Sequence, residues 1–347
     1  MEIRIYNRDL DFQGVIENQT SLIWTRKYFE PGSFELYVPI TENNLKLVKM
    51  GNLVWMKGSD EAAVIEDRIL EESDTKNQIT AKGRFISSYM DRRLIKSTVN
   101  FNGKVEVAMR QLLEGAEPIP RVQLGELQGF DETVQFQATY KNLLEYEQKL
   151  AMSANLGFRF RPDFDKKMIY FEVFQGVNRT KSQGANNRVI FSESYNNLNN
   201  TVYRENDQTF KTVAYVGGEG EGSARKYIKV GEGSGLDLRE TFVDAKDIQS
   251  DGLTAAQYEA QLRTRGQETL EQDTASNSFE CETDANANFK YKINYNLGDV
   301  ATVKKQSWGI TQDLRISQIQ EVYEYGGMRV VPTFGTPLPE SIDWSDT

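Results

Sequence analysis

The chain has 347 residues, of which 51 are acidic and 41 basic, giving a formal net charge of −10, and it contains no histidine and one cysteine. The acid excess disfavours gripping nucleic acid through its phosphates, which calls for clustered Lys and Arg. The missing histidine excludes Ser-His and Cys-His nucleophilic pairs, the common zinc sites and the usual general base near neutral pH.

From Ile3 to about Arg93 the chain reads as short strands between turns, "SLIWTRKY", "SFELYVPI", "NLVWMKG", "AAVIEDRILEES" and "NQITAKG", the pattern of an all-β barrel or sandwich. The opening "MEIRIYNRDLDF" has neither a basic start nor an apolar run, so it is expected to be a strand and not a signal peptide. Val105, Ala108, Met109, Leu112 and Leu113 recur at helical spacing, with Gly115 placed to stop the helix. A second helix is predicted from Thr139 to Asn155, where Leu143, Leu144, Glu147, Leu150, Ala151 and Ala154 share one mostly apolar face. "GFRFRPDFDKKMIYFEVFQG" then alternates, with Phe158 and Phe160, and later Tyr170, Glu172 and Phe174, spaced by two. Strands resume at about Val189, and a polar helix is expected from Thr254, its N-cap, to about Gln272. Its narrow stripe of Tyr258, Leu262 and Leu270, interrupted by Gly266, predicts packing on a sheet face.

These elements divide into 1–95 as a first β-barrel, 96–190 as an α+β middle domain, 191–335 as a second β-barrel carrying a glycine-rich hairpin and a helix, and 336–347 as a loosely held tail. The fold class is therefore mainly β with an α+β insertion, two related β-barrel domains flanking the middle one. No stretch approaches the ~18 apolar residues of a membrane span.

An internal repeat supports the two barrels. Residues 33–83 and 278–335 carry the same landmarks in order: "SFEL" at Ser33 and "SFEC" at Ser278, "GNLVWMK" at Gly51 and "GDVATVK" at Gly298, Ile65 and Ile69 against Ile316 and near Val322, and a closing glycine at Gly83 and Gly335. Three copies of such a chain around a three-fold axis would present six similar units.

Candidate chemistry is sparse. "YVGGEGEG", Tyr215–Gly222, follows a strand-like run as a phosphate loop would, but Glu219 and Glu221 would repel a phosphate and a strand-like alternation follows in place of a helix. A hairpin tip rich in positive-φ positions is expected there instead. Asp284, Asn286 and Asn288 begin like a calcium loop, but Phe289 and Tyr295 stand where glycine and glutamate are needed. Ser-x-x-Lys occurs at Ser73–Lys76 and Ser223–Lys226 without the companion motifs of a serine acyl-enzyme. Trp24, Trp55 and Trp308 could stack on sugars, though within strand patterns they are expected in the core. Cys281, beside Phe279, reads as an ordinary strand residue, and one cysteine makes no intrachain disulfide. The sequons at Asn18, Asn178 and Asn199 carry no meaning without secretion. No catalytic, cofactor-binding or metal-ligating residue is assigned, and no enzyme activity is expected.

With these strings laid out, the chain resembles the hub proteins at the distal end of bacteriophage tails, siphovirus tail proteins related to contractile-tail baseplate hubs. The resemblance is carried by "MEIRIYN", "YFEPGSFELYVP", "KGRFISSYMDRRLI", "YVGGEGEG" followed by "RETFVDAKDI", and the closing "YNLGDVATV", "RISQI" and "VVPTFG". It implies a structural virion protein made in the bacterial host, a homotrimer joining a six-fold tail tube to a three-fold tip. Its implied partners are the distal tail protein, the tape-measure protein and the tube, with DNA present only in transit. The competing expectation is a cell-wall-degrading or carbohydrate-binding tail protein acting through acidic and aromatic residues.

Overall fold

Period-two burial organises the molecule. Strand Ser33–Pro39 buries Phe34, Leu36 and Val38 and turns Ser33, Glu35 and Tyr37 the other way, and Met168–Phe174 does the same with Ile169, Phe171 and Val173. The computed structural model describes residues 1–195, 197–273, 276–282 and 288–335; the expected tail, 336–347, lies outside them.

The dominant feature is one ten-stranded sheet. Along its main path the strands run Asn199–Asn206, Ser276–Glu282, Gly327–Gly335, Ile310–Glu324, Ser21–Lys27, Ser33–Pro39, Asn77–Arg84 and Asp67–Glu72, with Val300–Lys305 and Ile190–Ser192 branching from Ile310–Glu324. A four-stranded sheet, Phe12–Ile16, Ile3–Tyr6, Leu53–Met56 and Ala63–Val64, covers the first half. Between them lies a core of Ile3, Ile5, Leu22, Trp24, Phe34 and Leu36. The second half has its own core of Phe191, Phe279, Cys281, Tyr295, Ile319 and Phe334.

The two halves repeat each other bond for bond at their landmarks. Gly51 N–H donates to the Ile65 carbonyl at 2.8 Å and Gly298 N–H to the Ile316 carbonyl at 2.8 Å; Ile65 N–H returns to Asn52 at 2.9 Å and Ile316 N–H to Asp299 at 2.8 Å. Both glycines take positive φ, 81° and 88°, which is why glycine opens both hairpins. Ser33 lies opposite Arg84, and Ser278 opposite Gly335, so Gly83 corresponds to Phe334, one residue from the predicted Gly335. The same ladders set Ile69 at the position of Gln320.

The expected barrels take a more open form. Among the described residues no sheet closes on itself. Strand Ser21–Lys27 pairs with Ile310–Glu324 of the other half, so the two modules share a sheet and neither closes a barrel of its own.

The middle segment packs two helices on short sheets. We label the helices α1 (Glu42–Leu47), α2 (Val105–Gly115), α3 (Leu143–Ser153) and α4 (Ala255–Gln272). α2 buries Val105, Ala108, Met109, Leu112 and Leu113, and Gly115 is its last residue. α3 starts four residues later than predicted, because the Asn142 side chain accepts the Glu145 N–H and caps it, while Tyr140 turns the chain at φ 49°. Gly157–Asp163 and Met168–Phe174 form the expected antiparallel pair, and Val122–Leu124 adds to Met168–Phe174 in parallel.

The glycine-rich hairpin and α4 build a small unit with a separate core of Ala214, Val216, Val230, Tyr258 and Leu262. Val213–Gly217 pairs with Tyr227–Gly231 as a hairpin and, in parallel, with Glu240–Asp244. Thr254 caps α4 through a capping box with Gln257. The predicted stripe packs on the sheet, and Gly266 is required there: a Cβ would meet Val216 Cγ2 at 2.7 Å and Val230 Cγ2 at 2.8 Å.

Candidate assembly edges

The seam between the modules is the most elaborate polar site of the described residues. Ser21–Lys27 and Ile310–Glu324 run antiparallel, setting Trp24 opposite Glu321 and Arg26 opposite Ile319. Arg26 is almost fully buried. Its Nε donates to Glu61 at 3.2 Å and its Nη1 to the Tyr291 hydroxyl at 3.0 Å, with Asp60 3.7 Å from Nη2.

Burial works against the Arg26 charge, but Tyr291, Glu61 and Asp60 outweigh it and hold the guanidinium above its ordinary pKa. Burial pushes the Glu61 carboxyl up against the pull of Arg26. Glu321 is wholly buried and accepts from Tyr323 at 2.6 Å, Tyr291 at 3.2 Å and Lys292 at 3.4 Å. A buried charge set of this kind adds little net stability, since desolvation offsets most of the attraction, but removing one partner leaves the other uncompensated.

The seam has a direction. Through the shared sheet the first half reads Ser21–Lys27, Ser33–Pro39, Asn77–Arg84, Asp67–Glu72, and the second reads Asn199–Asn206, Ser276–Glu282, Gly327–Gly335, Ile310–Glu324, the corresponding strands in the same order. The halves are thus joined head to tail. The sheet ends at Asp67–Glu72, the counterpart of Ile310–Glu324, and at Asn199–Asn206, the counterpart of Ser21–Lys27. Within the described residues each of these outer strands is paired on one side only. Leu70 and Val202 on them are about half exposed, at 52% and 49%.

A family model described as Siphovirus ReqiPepy6 Gp37-like protein matches residues 2–336. The chain belongs to this siphovirus tail-protein family. Similar solved structures include the 43 kDa tail protein of prophage MuSo2 from Shewanella oneidensis, with TM-score 0.58 and 13% identity over 96% of this chain and 98% of that one. The prophage tail protein gp18 from Listeria monocytogenes gives TM-score 0.54 and 13% identity over 97% and 95%. A tail protein from Neisseria meningitidis gives 0.55 and 10% over 96% and 95%. At such identities the likeness shows a shared fold. No curated protein matches the sequence.

Within this tail protein the other candidate residues take structural places. The glycine-rich tip turns its polar groups inward. Arg225 donates from Nε to the Gly218 carbonyl at 2.8 Å and from Nη2 to Gly217 at 2.7 Å, and the Glu219 N–H donates to the Tyr258 hydroxyl at 2.7 Å. A phosphate cradle needs such amides open. Ser73–Lys76 is a hairpin turn in which the Lys76 N–H donates to Ser73 Oγ, and Lys76 and Lys226 form ion pairs with Glu71 and Glu259.

Trp24 is core and Trp55 is half-buried, donating to the Ser59 carbonyl, while Trp308 is 48% exposed. Cys281 is buried in Ser276–Glu282. Of the calcium-like stretch, Asp284 and Asn286 lie outside the described residues. A depression of about 450 Å³ lies over the middle sheet, where Arg159 and Arg161 both pair with Glu172 at 2.8 and 2.5 Å. Sequence reading missed the Arg26 set, whose members lie far apart in the chain; the outer strands were legible, but not as edges.

Proposed function

We propose that the chain is a structural hub of the tail tip, three copies of which close a ring of six like modules between a six-fold tube and a three-fold tip. The observation that carries this reading is the head-to-tail seam. A non-reciprocal contact between like units propagates, and it closes into a ring when the rotation per unit divides a full turn. One contact is made within the chain, and the two outer strands leave the matching halves of the next contact exposed. We retain 1–95, 96–190 and 191–335 as the domain division of this hub.

The sheet face turned away from the cores would line the channel. It carries Glu35, Lys82, Gln318 and Gln320 by register, with Ile23 among them, a mixed surface that includes both signs of charge. With the net charge of −10, such a wall suits DNA passage without retention. The partners proposed are the distal tail protein, the tape-measure protein and the tube. No enzyme activity is proposed, and among the described residues no helix is long and apolar enough to cross a membrane.

Solution mass measured on the chain alone and mixed with the distal tail protein tests the hub. A three-chain species in either sample is expected; a single-chain mass in both overturns it.

A further inference from the structure

We propose that the depression over the middle sheet is a binding site for an acidic saccharide, a sugar carrying one carboxylate or phosphate. It lies apart from the outer strands and stands whether or not the ring does. Register builds it. Arg159 and Arg161 on Gly157–Asp163 lie opposite Glu172 and Tyr170 on Met168–Phe174, so all four side chains share one face of the sheet. Gly125 continues the third strand past Leu124, its N–H donating to the Phe171 carbonyl at 2.8 Å. A Cβ there would come within 2.8 Å of that carbonyl and 3.0 Å of Glu172 Cγ, so glycine keeps the floor open.

The donors left free specify the ligand. Glu172 accepts from Arg159 Nε at 2.8 Å on one oxygen and from Arg161 Nε at 2.5 Å on the other. Both guanidinium groups are thereby fixed, and each is also held against a ring, Arg159 over Phe174 and Arg161 over Tyr170, at 5.1 Å in both cases. Arg159 Nη1 donates to Asp60 at 2.7 Å, while its Nη2 and both terminal nitrogens of Arg161 make no hydrogen bond among the described residues. Guanidinium forks fixed in advance match a carboxylate or a phosphate.

A bare anion would leave the rest of the lining unused. Glu126 also borders the depression, exposed, and among the described residues it accepts a hydrogen bond only through its backbone carbonyl. Its carboxylate opposes a lone anion but accepts from hydroxyls. Charged donors, a free acceptor and the Tyr170 ring around about 450 Å³ fit a sugar of one or two rings that carries a single acid.

The probes are glucuronic acid, glucose phosphate, glucose and inorganic phosphate, each titrated into the full chain and followed by ligand-observed NMR and calorimetry. At least one acidic sugar should bind with a millimolar or tighter dissociation constant, and glucose and inorganic phosphate about tenfold more weakly. Binding of glucuronic acid alone identifies a carboxylate ligand, and of glucose phosphate alone a phosphate one. Arg161→Gln and Arg161→Lys should each weaken the acidic sugar by about tenfold or more, since an ammonium does not replace the fork. Glu126→Ala, at an exposed position without an ion pair, should narrow the preference for the acidic sugar over inorganic phosphate. Three results each overturn the proposal: neither acidic sugar binding at millimolar concentration, inorganic phosphate or glucose binding equally well, or binding indifferent to Arg161→Gln with the preference unchanged in Glu126→Ala.

Discussion

Glu147 is a buried carboxyl in an apolar setting. It lies on α3 with neither oxygen hydrogen-bonded among the described residues, and burial pushes its pKa well above the ordinary carboxyl value. The folded state therefore prefers the protonated acid. Its stabilising contribution is complete below the unfolded pKa of about 4.3 and is lost as pH rises through the raised folded value. Glu147→Gln should raise the melting temperature most at pH 8 and least near pH 4.5; an equal shift at both would refute the assignment. The residue was legible in the sequence only as a member of an apolar stripe, since a one-dimensional pattern gives the face and not the lack of a partner. Trp24 and Cys281 were legible for a different reason: strand alternation alone places them in the core.

Elements were read best where the signal is local. The Thr254–Gln257 capping box and the stripe on α4 fix that helix almost to the residue, and alternation fixes the hairpin of Gly157–Asp163 with Met168–Phe174. α1 was missed because six residues hold too little periodicity to stand out. "AAVIEDRILEES" read as one strand but breaks between Val64 and Asp67, where Ile65 bonds to Gly51 and Asn52. Its counterpart runs unbroken from Ile310 to Glu324. On α4 the close approach at Gly266 makes a direct prediction. Gly266→Leu forces a side chain against Val216 and Val230, so the unit should lose about 1–3 kcal/mol despite the better helix propensity. Hydrogen exchange should show the loss confined to 213–272.

At the scale of the whole molecule the repeat was readable and the seam was not. Landmarks such as "SFE" and the paired glycines lie within each module, whereas the pairing of Ser21–Lys27 with Ile310–Glu324 joins strands about three hundred residues apart, which no local pattern encodes. Arg26 is the test of that seam. Arg26→Leu leaves Glu61 buried without its cation and should cost about 3–5 kcal/mol, read by chemical denaturation, while Arg26→Leu with Glu61→Leu should recover most of it. Failure of the double variant to recover would show the charges acting separately. The unlike ends of the sheet also give each copy a polarity. In the ring proposed above, a copy disabled at one end, by Arg204→Pro for instance, would still be accepted by a neighbour but would offer nothing to the next. Mixed as a minority with intact protein, it should act as a terminator, leaving short oligomers with one capped flank and lowering the yield of finished particles out of proportion to its share.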